Sequence, residues 1–162
     1  MNKAIFTNDV INKKIIVEKE LNSQKNKVWE AWTDWKILEK WWWPKTWPAT
    51  TKSFDFSEWG HWHYYMTWPD GTQVWWLEEY LKIFEKESIL VRDYFSDENR
   101  NKNNTMPPNI WFINFLEEWN KTKVIVELRF EKLENMQQII DMWFEDWFSE
   151  ALENLEEYLK WE

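Results

Sequence analysis

The sequence contains no cysteine. That removes disulfides, thiolate metal ligands and a cysteine nucleophile, and it fits a reducing compartment. Glycine is nearly missing too, with 2 in 162 residues. Average usage is roughly 7%, and turns ordinarily draw on glycine wherever the backbone takes a positive φ. Basic residues are in deficit: 20 Lys and Arg against 29 Asp and Glu give a formal net charge of -9. An acidic surface repels phosphate backbones, and no Lys or Arg cluster interrupts it, so nucleic acid is not an expected partner. No uncharged apolar run approaches the roughly 20 residues that span a bilayer. The start, MNKAIFTNDV, lacks the apolar core of a signal peptide. The expectation is one domain over residues 1–162, in the cytoplasm, without a membrane span.

What the chain has in excess is tryptophan, 17 residues of it. The remaining pattern is orderly. Lys14 to Leu21 (KIIVEKEL) is rich in β-branched residues and reads as a first strand. Ser23 is a candidate cap for a helix whose apolar side is Val28, Trp29, Ala31 and Trp32. Thr33-Asp34 breaks it and caps a second short helix with Ile37, Leu38, Trp41 and Trp42, which Pro44 stops. From about residue 49 the period becomes alternating: Phe54 and Phe56, then Trp62, Tyr64 and Met66. Pro69-Asp70-Gly71 is a turn. Trp75 to Phe84 and Ile89 to Phe95 read as strands, Asp97 to Asn104 as a polar loop, and residues 110–130 as a hairpin around Glu118-Trp119-Asn120-Lys121. In the tail, Asn135 is a candidate cap, and Ile140, Phe144, Phe148, Leu152, Leu155 and Leu159 draw one apolar stripe along a helix of about six turns.

This order predicts an α+β fold in which a twisted antiparallel sheet of six to seven strands wraps a long C-terminal helix, with two short helices after the first strand. Such a grip leaves a space between sheet and helix. The segments Val28-Trp29-Glu30-Ala31-Trp32-Thr33-Asp34, Leu38-Glu39-Lys40-Trp41-Trp42, Phe54-Asp55-Phe56, Trp62, Met66 and Pro69-Asp70-Gly71 resemble, in order and spacing, the START-like helix-grip (SRPBCC) superfamily. The resemblance is specifically to domains like the C-terminal domain of the activator of the heat-shock-protein-90 ATPase. Tyr80-Leu81-Lys82-Ile83, Asp93-Tyr94-Phe95-Ser96-Asp97 and Leu152-Glu153-Asn154-Leu155 continue it, so that it runs from about Ile15 to Leu159.

The departures from that family concern one residue type. Trp29, Trp41, Trp42 and Trp62 sit where the family has Trp, but Trp43, Trp59, Trp68 and Trp119 sit where it usually has glycine. Trp76, Trp143 and Trp147 look like further cases. One step explains both the surplus and the deficit: these codons are UGA, read as glycine by the source organism and translated here as tryptophan. The alternative is a genuinely Trp-rich chain.

Candidate chemistry is sparse. His61 and His63 flank Trp62, so both point to the strand face opposite the core, where a solvent-facing pair without further ligands is expected. No G-x-S-x-G is present, and no glycine-rich phosphate loop. Glu145, Glu150, Glu153, Glu156 and Glu157 fall away from the stripe as a solvated face. Asp55 and Asp93 are compatible with either face of their strands. No catalytic set, metal or cofactor is expected. Residues expected to face the enclosed space are Trp41, Trp42, Phe54, Trp62, Tyr64, Met66, Trp111, Phe115, Phe144 and Phe148. By resemblance, the space holds a small hydrophobic molecule, with Tyr64 as an orienting hydroxyl. The resemblance also leaves open a co-chaperone role touching the 90-kDa heat-shock chaperone, and a cyclase or aromatase built on the same grip.

Overall fold

The computed structural model describes residues 2–104 and 107–162, which form nine strands and four helices. The strands are β1 (Ile5–Asp9), β2 (Lys14–Leu21), β3 (Ala49–Asp55), β4 (His61–Thr67), β5 (Gln73–Phe84), β6 (Ser88–Ser96), β7 (Lys102–Asn103), β8 (Asn109–Glu118) and β9 (Lys121–Arg129). The helices are α1 (Lys25–Thr33), α2 (Trp35–Trp41), α3 (Leu133–Asp141) and α4 (Phe144–Lys160). One antiparallel sheet runs β1-β2-β9-β8-β6-β5-β4-β3, with β7 paired to β6 off that path. This is the expected helix-grip class. The sheet is wider than the six to seven strands expected, because β1 precedes the strand expected first and β7 lies within the polar segment Asp97 to Asn104.

Local chemistry explains most boundaries. Along β2 every second side chain is buried, so Ile15, Val17, Lys19 and Leu21 share the concave face. Asp34 caps α2, its carboxylate accepting from the Lys36 N–H at 2.9 Å. Ser23 does not cap α1. Gln24 holds that position without a side-chain bond, and the Ser23 carbonyl instead accepts from the buried Thr122 hydroxyl at 2.8 Å. The β4–β5 turn forms as expected, with Asp70 accepting from the Thr72 N–H at 2.9 Å and Gly71 at φ 88°.

The C-terminal stripe is not one helix. The apolar spacing runs unbroken through Ile140 and Phe144, but the backbone turns between them at Trp143, which is left-handed at φ 62°, ψ 34°. The Trp143 N–H bonds back to the Ile140 carbonyl at 3.2 Å, closing α3 as a Schellman-type terminus does. Asn135 lies inside α3, whose cap position is Lys132. Phe144, Phe148, Ala151, Leu152, Leu155 and Leu159 form the buried side of α4.

That side sits in the hollow of the sheet. Phe148 meets Trp111 of β8 at 5.4 Å, Phe144 meets Phe6 of β1 at 6.0 Å, and Trp42 closes the third side 6.1 Å from Phe148. Buried Lys19 on β2 reaches Glu156 of α4 at 2.8 Å and also bonds the Asn2 carbonyl, tying the helix to the sheet by charge as well as packing.

Candidate functional site: a carboxylate row inside the grip

Strand register places one row of side chains across the hollow. Trp62 on β4 is opposite Glu78 on β5, Glu78 is opposite Asp93 on β6, and Asp93 is opposite Asn109 on β8. All four are buried. The adjacent row is Tyr64, Trp76 and Phe95. Above them lie Trp42 and Trp43 after α2, and Phe144 and Trp147 from α4. The Trp43 and Trp147 rings are 4.2 Å apart, and Trp43 and Trp76 are 5.5 Å apart.

These rings nearly fill the chamber. The free space left among them is about 30 Å³, and a neighbouring void beneath Trp42 and Trp62 holds about 10 Å³. That is room for a single water. A groove of about 490 Å³ does exist beside Glu20, Lys121 and Glu156, but it is charged and open to solvent. The space between sheet and helix is therefore present in outline and plugged by indoles.

The electrostatics of the row are unusual. Two carboxylates directly opposite each other in a sheet repel, and burying either one ionised is costly. Burial pushes the Asp93 carboxyl up to about 8, and burial followed by the Asp93 charge pushes Glu78 well above the usual 4.5. Both carboxyls therefore hold their protons to higher pH than free ones do. Burial, then Glu78 and Asp93, also push the Tyr64 hydroxyl up. That hydroxyl accepts from the Trp42 indole at 2.9 Å. No Lys, Arg or His lines either void. Asp93 Oδ1, Asn109 Oδ1 and the indole N–H groups of Trp43, Trp76 and Trp111 are buried without hydrogen-bond partners.

Of the ten residues expected to face the space, Trp42, Tyr64, Trp111 and Phe144 line the chamber and Trp62 lines the smaller void. Trp41, Met66, Phe115 and Phe148 are buried in the packing around it, Trp41 donating to the Ala31 carbonyl at 2.9 Å. Phe54 is half-buried and lies over Phe56 and Tyr80. Glu78 and Asn109 were not foreseen. Their signal was strand parity, since Trp76, Glu78 and Tyr80 share one face. Asp55 is exposed, whereas Asp93 points inward.

The histidines lie on the other face, as parity requires, but His63 is not solvent-facing. It is buried, 2.9 Å from the Asp97 carbonyl and 4.9 Å from the Trp75 ring, and burial lowers its pKa. His61 sits 2.8 Å from the Ser53 hydroxyl and beside Arg100. Among the described residues no group of three or more His, Cys, Asp or Glu could hold a metal ion. No helix there is long and apolar enough to cross a membrane.

Residues 22–160 match the family described as Activator of Hsp90 ATPase homolog 1-like protein. The chain belongs to that family. Solved structures agree across almost its whole length. A solution structure of an Arthrobacter aurescens protein is similar at 28% identity and a TM-score of 0.90, covering 98% of this chain and 92% of that one. A Mycobacterium smegmatis crystal structure is similar at 26% identity and a TM-score of 0.90, covering 98% and 97%. A Staphylococcus epidermidis protein follows at 29% identity and a TM-score of 0.82, covering 92% and 90%. Among curated proteins, none matches the sequence.

Within an Activator of Hsp90 ATPase homolog 1-like fold, the seven tryptophans at expected glycine positions divide into three kinds. Trp59, Trp119 and Trp143 have φ of 68°, 60° and 62°, and their side chains are 79%, 97% and 72% exposed. Their backbones ask for glycine and their rings contribute little packing. Trp43, Trp76 and Trp147 form the plug. Trp68 belongs to neither group: its φ is ordinary and it stacks on Trp47 at 5.7 Å.

Proposed function

We propose that this Activator of Hsp90 ATPase homolog 1-like chain is a non-catalytic cytoplasmic binding domain that holds a small hydrophobic molecule between the sheet and α4. The observation that carries the reading is the Glu78–Asp93–Asn109 row. A hollow that served only packing is as stable or more stable with apolar side chains in such places. A hollow with unpaired polar atoms at its floor and aromatic walls has the make-up of a ligand site.

The plug belongs to the same reading. Trp43, Trp76 and Trp147 are the positions at which the natural chain carries glycine, decoded from UGA. Without three indoles the chamber gains the room those rings occupy, which moves it from space for one water toward the size of a small-molecule site. The positive φ at Trp59, Trp119 and Trp143 supports the recoding independently of the chamber. The gene sequence tests it, because UGG codons at these positions refute it.

Native mass spectrometry against a library of apolar small molecules tests the binding role. The W43G/W76G/W147G chain is expected to retain ligands that the chain as written binds poorly. A folded triple variant that retains none overturns the role.

A further inference from the structure

We propose that the chamber selects a hydrophobic amine, seating its ammonium group between Glu78 and Asp93 with the apolar body against the indole and phenyl walls. The proposal rests on the binding role above and names its ligand class. It follows from a mismatch inside the hollow. Two carboxyl groups stand directly opposite each other across β5 and β6, with the amide of Asn109 next in line. Each is more than nine-tenths buried. Asp93 Oδ1 and Asn109 Oδ1 accept no hydrogen bond, so two unused acceptors belong to residues that line the chamber. Among the described residues, no Lys, Arg or His lines either void. A paired carboxylate cluster normally carries its own counter-charge. Here burial holds protons on the pair instead, and a cationic occupant is what lets the row ionise. An ammonium group supplies three N–H donors and a positive charge, which matches three acceptor-bearing side chains.

The same geometry argues against other head groups. A carboxylate or phosphate offers nothing to the unpaired Asp93 and Asn109 oxygens, and it is repelled once the carboxyl pair ionises. A neutral hydroxyl satisfies one acceptor and leaves the others unpaired. The remaining titratable groups facing the row are Tyr64 on β4 and Tyr80 on β5, both pushed up by burial and therefore neutral. The helical side is contributed by Ile139, Met142, Phe144 and Trp147, which carry no charge. An ammonium drives protons off the carboxyl pair, so amine binding strengthens as pH rises toward 8 and releases protons to buffer.

Three matched probes test this: 2-(1-naphthyl)ethylamine, 2-(1-naphthyl)ethanol and 1-naphthylacetate. They are titrated by calorimetry into the W43G/W76G/W147G chain and into the same chain carrying Glu78→Gln and Asp93→Asn. The amine is expected to bind at least about tenfold more tightly than the alcohol, and the acid most weakly. The carboxamide pair should bring the amine down to the alcohol's level without weakening the alcohol. In the unmodified chain, where rings must shift aside, thermal shifts should rank the probes in the same order, so the comparison does not hang on the variant folding. Equal binding of amine and alcohol overturns the head-group assignment and leaves the container standing. Tightest binding by the acid also overturns it. If no probe binds a folded opened chain, the amine site falls, and the library screen separately decides the container.

Discussion

Trp119 is 97% exposed, yet its backbone is held at φ 60° as the first of two residues linking β8 to β9. A positive φ at that place but not at Asn120 is the mark of a type II′ hairpin turn, where glycine is the favoured residue. A side chain there costs roughly 1–2 kcal/mol, while glycine adds a smaller entropy to the unfolded chain. Trp119→Gly is therefore expected to stabilise the protein by about 1 kcal/mol, a rise in Tm of about 2–4 °C by calorimetry; a fall in Tm contradicts the turn argument. The carboxyl pair gives a second expectation at this scale. Asp93 is raised from 3.8 to about 8 in the folded chain, and Glu78 moves the same way. Between those limits the folded form binds more protons than the unfolded one, so stability is greatest at the acid end and declines as pH rises through the window. The slope is up to about 1.4 kcal/mol per pH unit for each proton. Urea unfolding at pH 5 to 8 should show that decline, and Glu78→Gln with Asp93→Asn should flatten it. A steep decline that persists in the double variant removes the assignment.

At the level of elements, alternation and capping were legible where burial was complete. β2 alternates without exception and Asp34 announces α2. β1 escaped because Ile5–Asp9 buries little, and a strand half in solvent has no clear period. The split of the tail into α3 and α4 escaped for a different reason. Apolar spacing reports which side faces inward, and Ile140 and Phe144 keep that spacing across a left-handed residue that only backbone geometry exposes. Glu78 escaped, and Asp93 stayed open between two faces, because carboxylates in strands ordinarily face water. The tie between β2 and α4 is testable as well. Glu156→Gln leaves the buried Lys19 ammonium without its anion, and the expected loss is about 3–5 kcal/mol in urea unfolding. A loss below about 1 kcal/mol means that the pair behaves as an ordinary surface bridge.

For the whole molecule, fold class and the hairpin neighbours β4–β5 and β8–β9 were legible in the ordered segments, but the long-range strand neighbours were not. β9 inserts between β2 and β8, a pairing of residues more than a hundred positions apart that no local pattern encodes. The content of the hollow was legible only in outline: aromatic walls follow from periodicity, whereas how far the walls close depends on three rings meeting from the segment after α2, from β5 and from α4. Those rings have an optical consequence. Trp42, Trp43, Trp76, Trp111 and Trp147 form a linked cluster with neighbouring centroids between 4.2 and 6.4 Å. Chromophores packed this closely share their excitation, so near-ultraviolet dichroism registers their mutual tilt more than the average of the chain. Any occupant that displaces one ring changes that spectrum, and the chamber announces its own filling without a label.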